Sequence, residues 1–226
     1  MLDGAPVEGA QVKIPLKTLN RHGLIAGATG TGKTKTLQVI AEQLSLKGIP
    51  CLLMDLKGDL SGLAQPGELN DHITWRQGAI GIPYKAEAMP VELLSISNEP
   101  GVKMRATISE FGPVLFSKIL NLNDTQSGVM SVVFKYCDDH RLPLVDIKDI
   151  RQTLQYLMGE GKEEISKECG FISPASIGAI SRKIIEIEQQ GADQFFGERS
   201  FDVDDLCRTI GGKGVLSIMR LTDIQD

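Results

Sequence analysis

One stretch of the chain has the residue types and the spacing of a phosphate-binding loop. It matches the pattern GxxxxGK[ST] and reads Gly27-Ala28-Thr29-Gly30-Thr31-Gly32-Lys33-Thr34. Glycines let the backbone curl so that successive N–H groups face an anion, and a helix that begins at the loop adds the positive end of its dipole there. The pattern therefore predicts that phosphate groups bind at this loop. The alternative, a glycine-rich turn without a ligand, is disfavoured by the strand and the helix that the sequence predicts on either side.

The loop residues have different predicted contacts with a bound nucleotide. The amides of residues 29–33 are expected to hold the α- and β-phosphates, the Lys33 ammonium to reach the β- and γ-phosphates, and the Thr34 hydroxyl to bind Mg²⁺. Lys33 is therefore the candidate catalytic residue of the loop. Thr36 is a further candidate for contact with the α-phosphate, and an ordinary solvated helix position is the alternative interpretation for it.

The elements around the loop should position it. Residues 22–26 (His-Gly-Leu-Ile-Ala) predict a short buried strand before the loop. After the loop, apolar side chains recur at i, i+3, i+4 and i+7, which predicts one buried helical face made of Leu37, Ile40, Ala41 and Leu44. Gly48 is expected to end this helix, with Pro50 just beyond it.

An acidic candidate follows the next apolar run. Residues 49–54 are continuously apolar, which predicts a parallel strand buried on both faces and, with the strand and helix before it, a right-handed βαβ unit. Asp55 comes at the carboxyl end of this strand, where open parallel sheets bind ligands, so its carboxylate is a candidate Mg²⁺ ligand and catalytic group. The alternative is that Asp55 and Asp59 only cap the turn and the short helix after it.

The composition is that of a globular chain with a core and room for a subdomain. Of its 226 residues, 42% are hydrophobic and 23% charged. The net charge of −5 excludes the overall basic footprint of a sequence-independent DNA binder, so any contact with nucleic acid must be local. No signal-peptide run and no apolar stretch of about 18 residues is present, so no membrane association is expected. The 4 dispersed cysteines predict buried free thiols and a cytoplasmic location.

The chain is expected to divide into three parts. They are the first half of a P-loop ATPase core at residues 1–97, a helical insertion at 98–208 and a return strand toward the core at 209–226. The predicted fold is therefore α/β, with a parallel sheet and a mainly helical inserted subdomain. Further strands are predicted at residues 10–16, 72–75, 90–96 and 214–219, the second of them within a long loop at 65–90.

Helical periodicity dominates the insertion. A helix at residues 104–122 is expected to be broken by Gly112-Pro113. Asn123, with Gln126 three residues on, opens a second helix that runs to about residue 138. Asp146 opens a third to about residue 158, and Ser173-Pro174 open a fourth that Gly191 closes. The fourth carries a predicted core stripe of Ile177, Ile180, Ile184 and Ile187.

A P-loop hydrolase normally also carries an apolar strand that ends in Asp-Glu, the Walker B strand. The Asp orders Mg²⁺, and the Glu polarises the attacking water. This chain contains no Asp-Glu dipeptide, and the last apolar strand runs into Met-Arg-Leu-Thr-Asp. We therefore expect a chain truncated before Walker B, with the water-activating carboxylate beyond residue 226.

Several segments together resemble one family of P-loop ATPases. They are residues 20–25 (Asn-Arg-His-Gly-Leu-Ile) leading into the loop, 55–62 (Asp-Leu-Lys-Gly-Asp-Leu-Ser-Gly), 105–109 (Arg-Ala-Thr-Ile-Ser), 120–128 (Leu-Asn-Leu-Asn-Asp-Thr-Gln-Ser-Gly) and 189–198 (Gln-Gln-Gly-Ala-Asp-Gln-Phe-Phe-Gly-Glu). In these segments, which extend over nearly the whole chain, the sequence resembles the HerA/FtsK superfamily and, within it, the bacterial HerA-like, YjgR-like branch.

The resemblance implies a RecA/HerA-like ATPase core. It implies that residues 27–34 bind ATP with Mg²⁺ and that Asp55 takes the acidic position after the second strand. For the full-length protein it implies a homo-oligomer, a hexameric ring that moves along double-stranded DNA, and for HerA itself a nuclease partner. It also implies that these residues are the N-terminal portion of a longer protein.

Two other functions are kept open beside a DNA-translocating ATPase. A nucleotide-binding regulatory or non-hydrolysing module needs the same loop without a water-activating carboxylate, and for these 226 residues alone this alternative is favoured over catalysis. A GTPase switch is suggested by residues 55–58, Asp-Leu-Lys-Gly, which fit DxxG. No NKxD-type motif for reading guanine is present in the chain, which disfavours the switch.

Overall fold

The central sheet joins strands that are far apart in the sequence. In the computed structural model, which describes residues 5, 7, 13–82 and 84–223, the sheet order is β1 (Cys51–Asp55), β6 (Leu216–Arg220), β2 (Val91–Ser95) and β3 (Val102–Lys103), numbered in chain order. The sheet is parallel. The predicted α/β class is therefore confirmed, as are the strands predicted at residues 90–96 and 214–219.

The chain contains two compact units, and the first is made of two separate segments. Residues 1–93 and 206–219 form the first unit, and residues 94–205 and 220–226 form the second. The first unit contains helices α1 (Lys33–Ser45) and α2 (Asp71–Ile80) and an antiparallel hairpin of β4 (Thr209–Ile210) and β5 (Lys213–Gly214). Its buried core consists of Ala41, Leu53, Leu60, Leu63, Met89, Leu216 and Ile218.

Helix α1, which follows the candidate loop, is fixed at its C-terminal end. The Ser45 hydroxyl, which is buried, donates a hydrogen bond of 2.6 Å to the carbonyl of Gly214. A Cβ at Gly214 would stand 2.2 Å from the carbonyl carbon of Ile49, so only glycine permits this close approach. Gly48, with φ of +75°, follows the end of the helix, as the sequence predicts.

The strand predicted at residues 22–26 is wrong. These residues form no strand and are exposed, and Leu24 is 90% accessible. A strand needs a hydrogen-bonded neighbour, but β1 pairs with β6, and no described residue bonds to the backbone of 22–26. The predicted βαβ unit is therefore not formed, and β1 is not buried on both faces, since Leu52 and Met54 are exposed.

The strand predicted at residues 72–75 is also wrong, because this segment lies in helix α2. The Asn70 side chain accepts a 2.9 Å hydrogen bond from the Ile73 amide and caps the helix, and Gly81, with φ of +65°, ends it. In the strand predicted at residues 10–16, residues 10–12 lie outside the described part of the chain. The described remainder is not a strand, and a 3-10 turn begins there at Leu16.

The second unit is mainly helical. Its helices are α3 (Ile108–Ile119), α4 (Asp124–Asp139), α5 (Ile147–Met158), α6 (Lys162–Cys169), α7 (Pro174–Gln189) and α8 (Ala192–Phe195). All four isoleucines of the stripe predicted on α7 are buried in its core. The predicted break appears as a kink at Gly112, whose φ of +67° and ψ of 171° are not helical. The short helices α6 and α8 were not predicted from the sequence.

Side-chain caps define where the longer helices of this unit begin. Asn123 and Gln126 form the predicted capping box of α4, and Asp146 caps α5 through the amides of Lys148 and Asp149. A further capping box, formed by Thr107 and Glu110, opens α3. The backbone hydrogen bond from Thr107 lowers the pKa of the Glu110 carboxyl, and Arg199 beside it acts in the same direction.

The cysteines are free, as predicted, but they are not all buried. Cys137 is buried, Cys51 and Cys169 are partly buried and Cys207 is exposed. Among the described residues, no helix has both the length and the apolar character needed to cross a membrane.

We predict that Glu110 makes the stability of the second unit depend on pH. The folded-state pKa of Glu110 lies below its ordinary value of 4.5, so its stabilising effect is present above that pH and is lost as the pH falls through the lowered pKa. The Glu110→Gln variant should be less stable than the parent at pH 7, and the difference should shrink in acid. Urea unfolding followed by far-UV circular dichroism at several pH values measures this. Glu160→Gln, at an exposed position, is the control, and a pH-independent difference for Glu110→Gln would contradict the prediction.

Candidate functional site

The candidate phosphate-binding loop leads directly into helix α1. The helix begins at Lys33, and Gly32 before it has φ of +93° and no side chain to cap the helix. Gly30 has φ of +82°. No heavy atom lies within 4 Å of a Cβ built on either glycine, so the space beside these two glycines is open. Left-handed backbone at these two positions requires glycine and leaves the backbone accessible to a ligand.

The amides at the start of α1 lack hydrogen-bond acceptors. None of the described residues accepts a hydrogen bond from the amides of Gly30, Gly32, Lys33 or Thr34. The first intrahelical bond of the element runs from the Thr36 amide to the Gly32 carbonyl, at 2.9 Å. Unpaired N–H groups at the positive end of a helix form a site that favours an anion. The loop geometry therefore fits a phosphate group.

Two side chains of the loop donate hydrogen bonds to the same carbonyl oxygen. The Ala28 carbonyl accepts hydrogen bonds from the Lys33 ammonium and from the Thr31 hydroxyl, both at 2.8 Å. A Cβ at Gly27 would stand 2.5 Å from the Thr31 hydroxyl oxygen, so glycine is needed there as well. Lys33 can reach a ligand only by exchanging its bond to Ala28, a neutral acceptor, for a bond to the ligand. A phosphate oxygen is the stronger acceptor because it is charged.

The two threonine candidates differ in their contacts. Thr34 is partly buried, and its hydroxyl makes no hydrogen bond to a described residue. The Thr36 hydroxyl donates to the Gly32 carbonyl at 3.1 Å, an ordinary contact within a helix. Thr34 thus has a free oxygen for a metal ion, whereas Thr36 must break a local bond before it contacts a phosphate. Mg²⁺ commonly uses one or two protein oxygens together with phosphate and water oxygens, and a single threonine hydroxyl suits that pattern.

Asp55 is buried and its carboxylate is fully used by the backbone. Only 2% of the surface of Asp55 is exposed to solvent. Oδ1 accepts from the amides of Lys57, Gly58 and Asp59 at 3.2, 2.8 and 3.3 Å, and Oδ2 accepts from the Leu60 amide at 3.1 Å. These contacts are those of the turn-capping alternative. The role of Asp55 as a Mg²⁺ ligand and catalytic group stays a prediction, since none of its contacts involves residues 27–36.

One contact connects helix α1 to the Asp55 turn, and sequence reasoning missed it. The Gln38 side chain donates a 2.7 Å hydrogen bond to the Asp59 carbonyl. Gln38 comes four residues after Thr34, so both side chains lie on the same face of α1. The turn that Asp55 organises is therefore held against the face of the helix that carries Thr34. The i, i+4 spacing predicts the helix face of Gln38, but the sequence carries no signal for its bond to Asp59, which is 21 residues away.

Among the described residues, no group of three or more His, Cys, Asp or Glu side chains is arranged to hold a metal ion. In comparisons with known proteins, a family model described as Helicase HerA-like C-terminal matches residues 2–225. A search of curated proteins finds no match.

We predict that the Asp55 carboxylate stabilises the first unit. In Asp55→Asn the side-chain nitrogen cannot accept a hydrogen bond, so at least one of the four amides loses its acceptor and the others lose a charged one. The expected cost is about 1–3 kcal/mol. Urea unfolding followed by the fluorescence of Trp75, the single tryptophan of the chain and a residue of the same unit, measures it. Asp59→Asn, at an exposed position in the same turn, is the matched control, and equal stability of the two variants would refute the prediction.

Proposed function

The chain belongs to the HerA-like helicase C-terminal family, and from this we propose that residues 27–34 bind the phosphates of ATP together with Mg²⁺. The observation that carries the proposal is the group of amides without an acceptor among the described residues, at Gly30, Gly32, Lys33 and Thr34, at the start of a helix of 13 residues. The space beside Gly30 and Gly32 is open, and the helix adds its positive end. A nucleoside triphosphate would supply anionic oxygens as the hydrogen-bond acceptors that these amides lack.

The residues of the loop would then have distinct roles. Lys33 would leave the Ala28 carbonyl and neutralise the β- and γ-phosphates, and the free Thr34 hydroxyl would be the Mg²⁺ ligand of the loop. Bound Mg²⁺ supplies positive charge that offsets the charge of the β- and γ-phosphates. Thr36 remains a proposed contact to the α-phosphate. Asp55 is proposed to act near the metal through the turn it holds, which Gln38 attaches to α1.

We further propose that the whole protein is a DNA translocase or helicase-type ATPase. The family description as a helicase supports this proposal. The assembly we propose is a hexameric ring in the cytoplasm, with a nuclease as a possible class of partner, and with residues 1–97 and 209–226 as core and 98–208 as insertion. Because the net charge is −5, DNA would bind at a local basic surface rather than over the whole chain.

Hydrolysis by these 226 residues alone is proposed to stay near background. A hydrolase needs a carboxylate that polarises the attacking water. The chain has no Asp-Glu pair, and both oxygens of Asp55 already accept backbone hydrogen bonds. Binding without turnover is therefore the activity we propose for the chain by itself.

We predict that Lys33→Ala weakens Mg-ATP binding. Loss of a charge-assisted contact worth about 1.5–3 kcal/mol corresponds to an increase in Kd of about 10- to 150-fold. Isothermal titration calorimetry with ATP and Mg²⁺ measures it. Lys35→Ala removes an exposed lysine two residues further along α1 and should leave Kd nearly unchanged. If the parent chain binds no nucleotide, or binds GTP in preference to ATP, the proposal of an ATP site is wrong.

We predict that DNA stimulates ATP hydrolysis by the full-length protein. A motor couples its nucleotide cycle to its track, so double-stranded DNA should raise the steady-state ATPase rate, and Lys33→Ala should abolish the stimulated rate. A coupled ATPase assay with and without double-stranded DNA measures this. Stimulation should weaken with rising salt, because contacts to phosphates release counterions. A rate that no DNA changes would favour a regulatory nucleotide-binding module over a motor.

A further inference from the structure

A large cavity lies in the first unit, apart from the candidate loop. It has a volume of about 1270 Å³, is open to solvent and is lined by residues of α1 and α2 together with Lys13, Ile14, Leu16, Leu19, Ile82 and Tyr84. None of the residues 27–34 contributes to its wall. Sites for small organic ligands typically have volumes of about 300–1,000 Å³, so the cavity has room for a ligand of that size.

The wall of the cavity is mostly apolar and accessible to solvent. Trp75, the single tryptophan of the chain, is 66% exposed there, with Val39 of α1 and Ile14 also exposed. Ile82 and Tyr84 continue the apolar surface beyond the end of α2. Contiguous exposed apolar surface of this kind is uncommon in soluble proteins and marks a binding site.

The charges at the cavity favour an anion. Lys13, Lys47 and Arg76 line it, and none of them forms an ion pair with a described residue. Among the described residues of the wall, Glu42 is the one carboxylate. The three basic side chains thus outnumber this carboxylate, and a ligand could supply the counter-charge that they lack. Apolar walls together with a few basic groups are the lining expected for a small ligand with an oxyanion.

We propose that this cavity binds a small amphipathic anion, a molecule with an aliphatic or aromatic body and one carboxylate or sulfonate group. The body would lie against Trp75 and the apolar residues of α1, and the anionic group would face Arg76, Lys47 and Lys13. Such a site is separate from the nucleotide loop, so it does not depend on ATP binding.

The test uses a pair of fluorescent probes that differ in charge. The anion 1-anilinonaphthalene-8-sulfonate has the apolar body and the sulfonate, and N-phenyl-1-naphthylamine has nearly the same body without the charge. Both are titrated against the full chain with excess Mg-ATP present, and energy transfer from Trp75 reports binding at the cavity. We expect saturable binding of one molecule of the anion per chain, tighter than binding of the neutral probe.

Variants then identify the site. Arg76→Gln and Lys47→Gln should each weaken binding of the anion by about two- to fivefold, the effect of one partly screened charge, and leave binding of the neutral probe unchanged. Lys118→Gln in the second unit is the control for net charge. Trp75→Phe should abolish the transfer signal but not the binding, as equilibrium dialysis can show. Unchanged circular dichroism of each variant excludes dye binding to a partly unfolded chain.

Several outcomes would overturn the proposal. The first is equal affinity for the two probes, and the second is unchanged binding of the anion by Arg76→Gln and Lys47→Gln. The third is displacement of the anion by an acidic amphipathic helical peptide that binds far more tightly, because this result would assign the cavity to a protein partner. Competition between the anion and Mg-ATP would place the probe at the nucleotide loop instead. Because Lys33→Ala should leave binding of the anion unchanged, failure of the ATP proposal and failure of this one can be told apart.

Discussion

Backbone N–H groups without acceptors at the start of helix α1 are the constraint on which the candidate site depends. Every α-helix begins with several such donors, and most proteins satisfy them with a side chain at the N-cap. Here the N-cap is Gly32, which has no side chain, while Asn123 and Asp146 cap their helices in the second unit. Helices α6, α7 and α8 also lack a side-chain cap, but α1 is the one that follows the glycine-rich loop and carries Lys33 and Thr34. The missing cap leaves the donors for a ligand.

The Asp55 turn satisfies the same kind of donor from within the chain. Four consecutive amides, from Lys57 to Leu60, bond to one buried carboxylate, so none of these amides is left for an external anion. A buried carboxylate without a cation beside it is tolerable because each oxygen accepts hydrogen bonds. The Gln38 contact holds this closed turn against the helix that starts at the open loop. The loop at residues 27–34 therefore offers donors to a ligand, and the Asp55 turn gives helix α1 a fixed neighbour.

Local patterns could be predicted from the sequence, and features that depend on distant partners could not. The loop at residues 27–34, the helix after it and the capping box at Asn123 depend on residues a few positions apart, and they were predicted. The strand predicted at 22–26 needs a neighbouring strand, which apolar character alone does not supply. Helix α2 was missed because its caps, Asn70 and Gly81, stand within a segment rich in glycine and proline. The hydrogen bonds that the Asp55 carboxylate accepts depend on the backbone path of the turn, and the sequence alone does not determine that path.

The order of the strands in the sheet has a consequence for synthesis on the ribosome. Strand β6, the last of the described strands, lies between β1 and β2, so β1 has no neighbour in the sheet, and β2 has only β3, until Leu216–Arg220 has been translated. The helices of the second unit use contacts that are closer in sequence, and such contacts form faster. Nascent chains would therefore carry a folded helical part while β1 still presents an unpaired edge. During this interval Leu53, which is buried in the folded sheet, would be exposed, and a chaperone that covers extended apolar segments would protect it from aggregation.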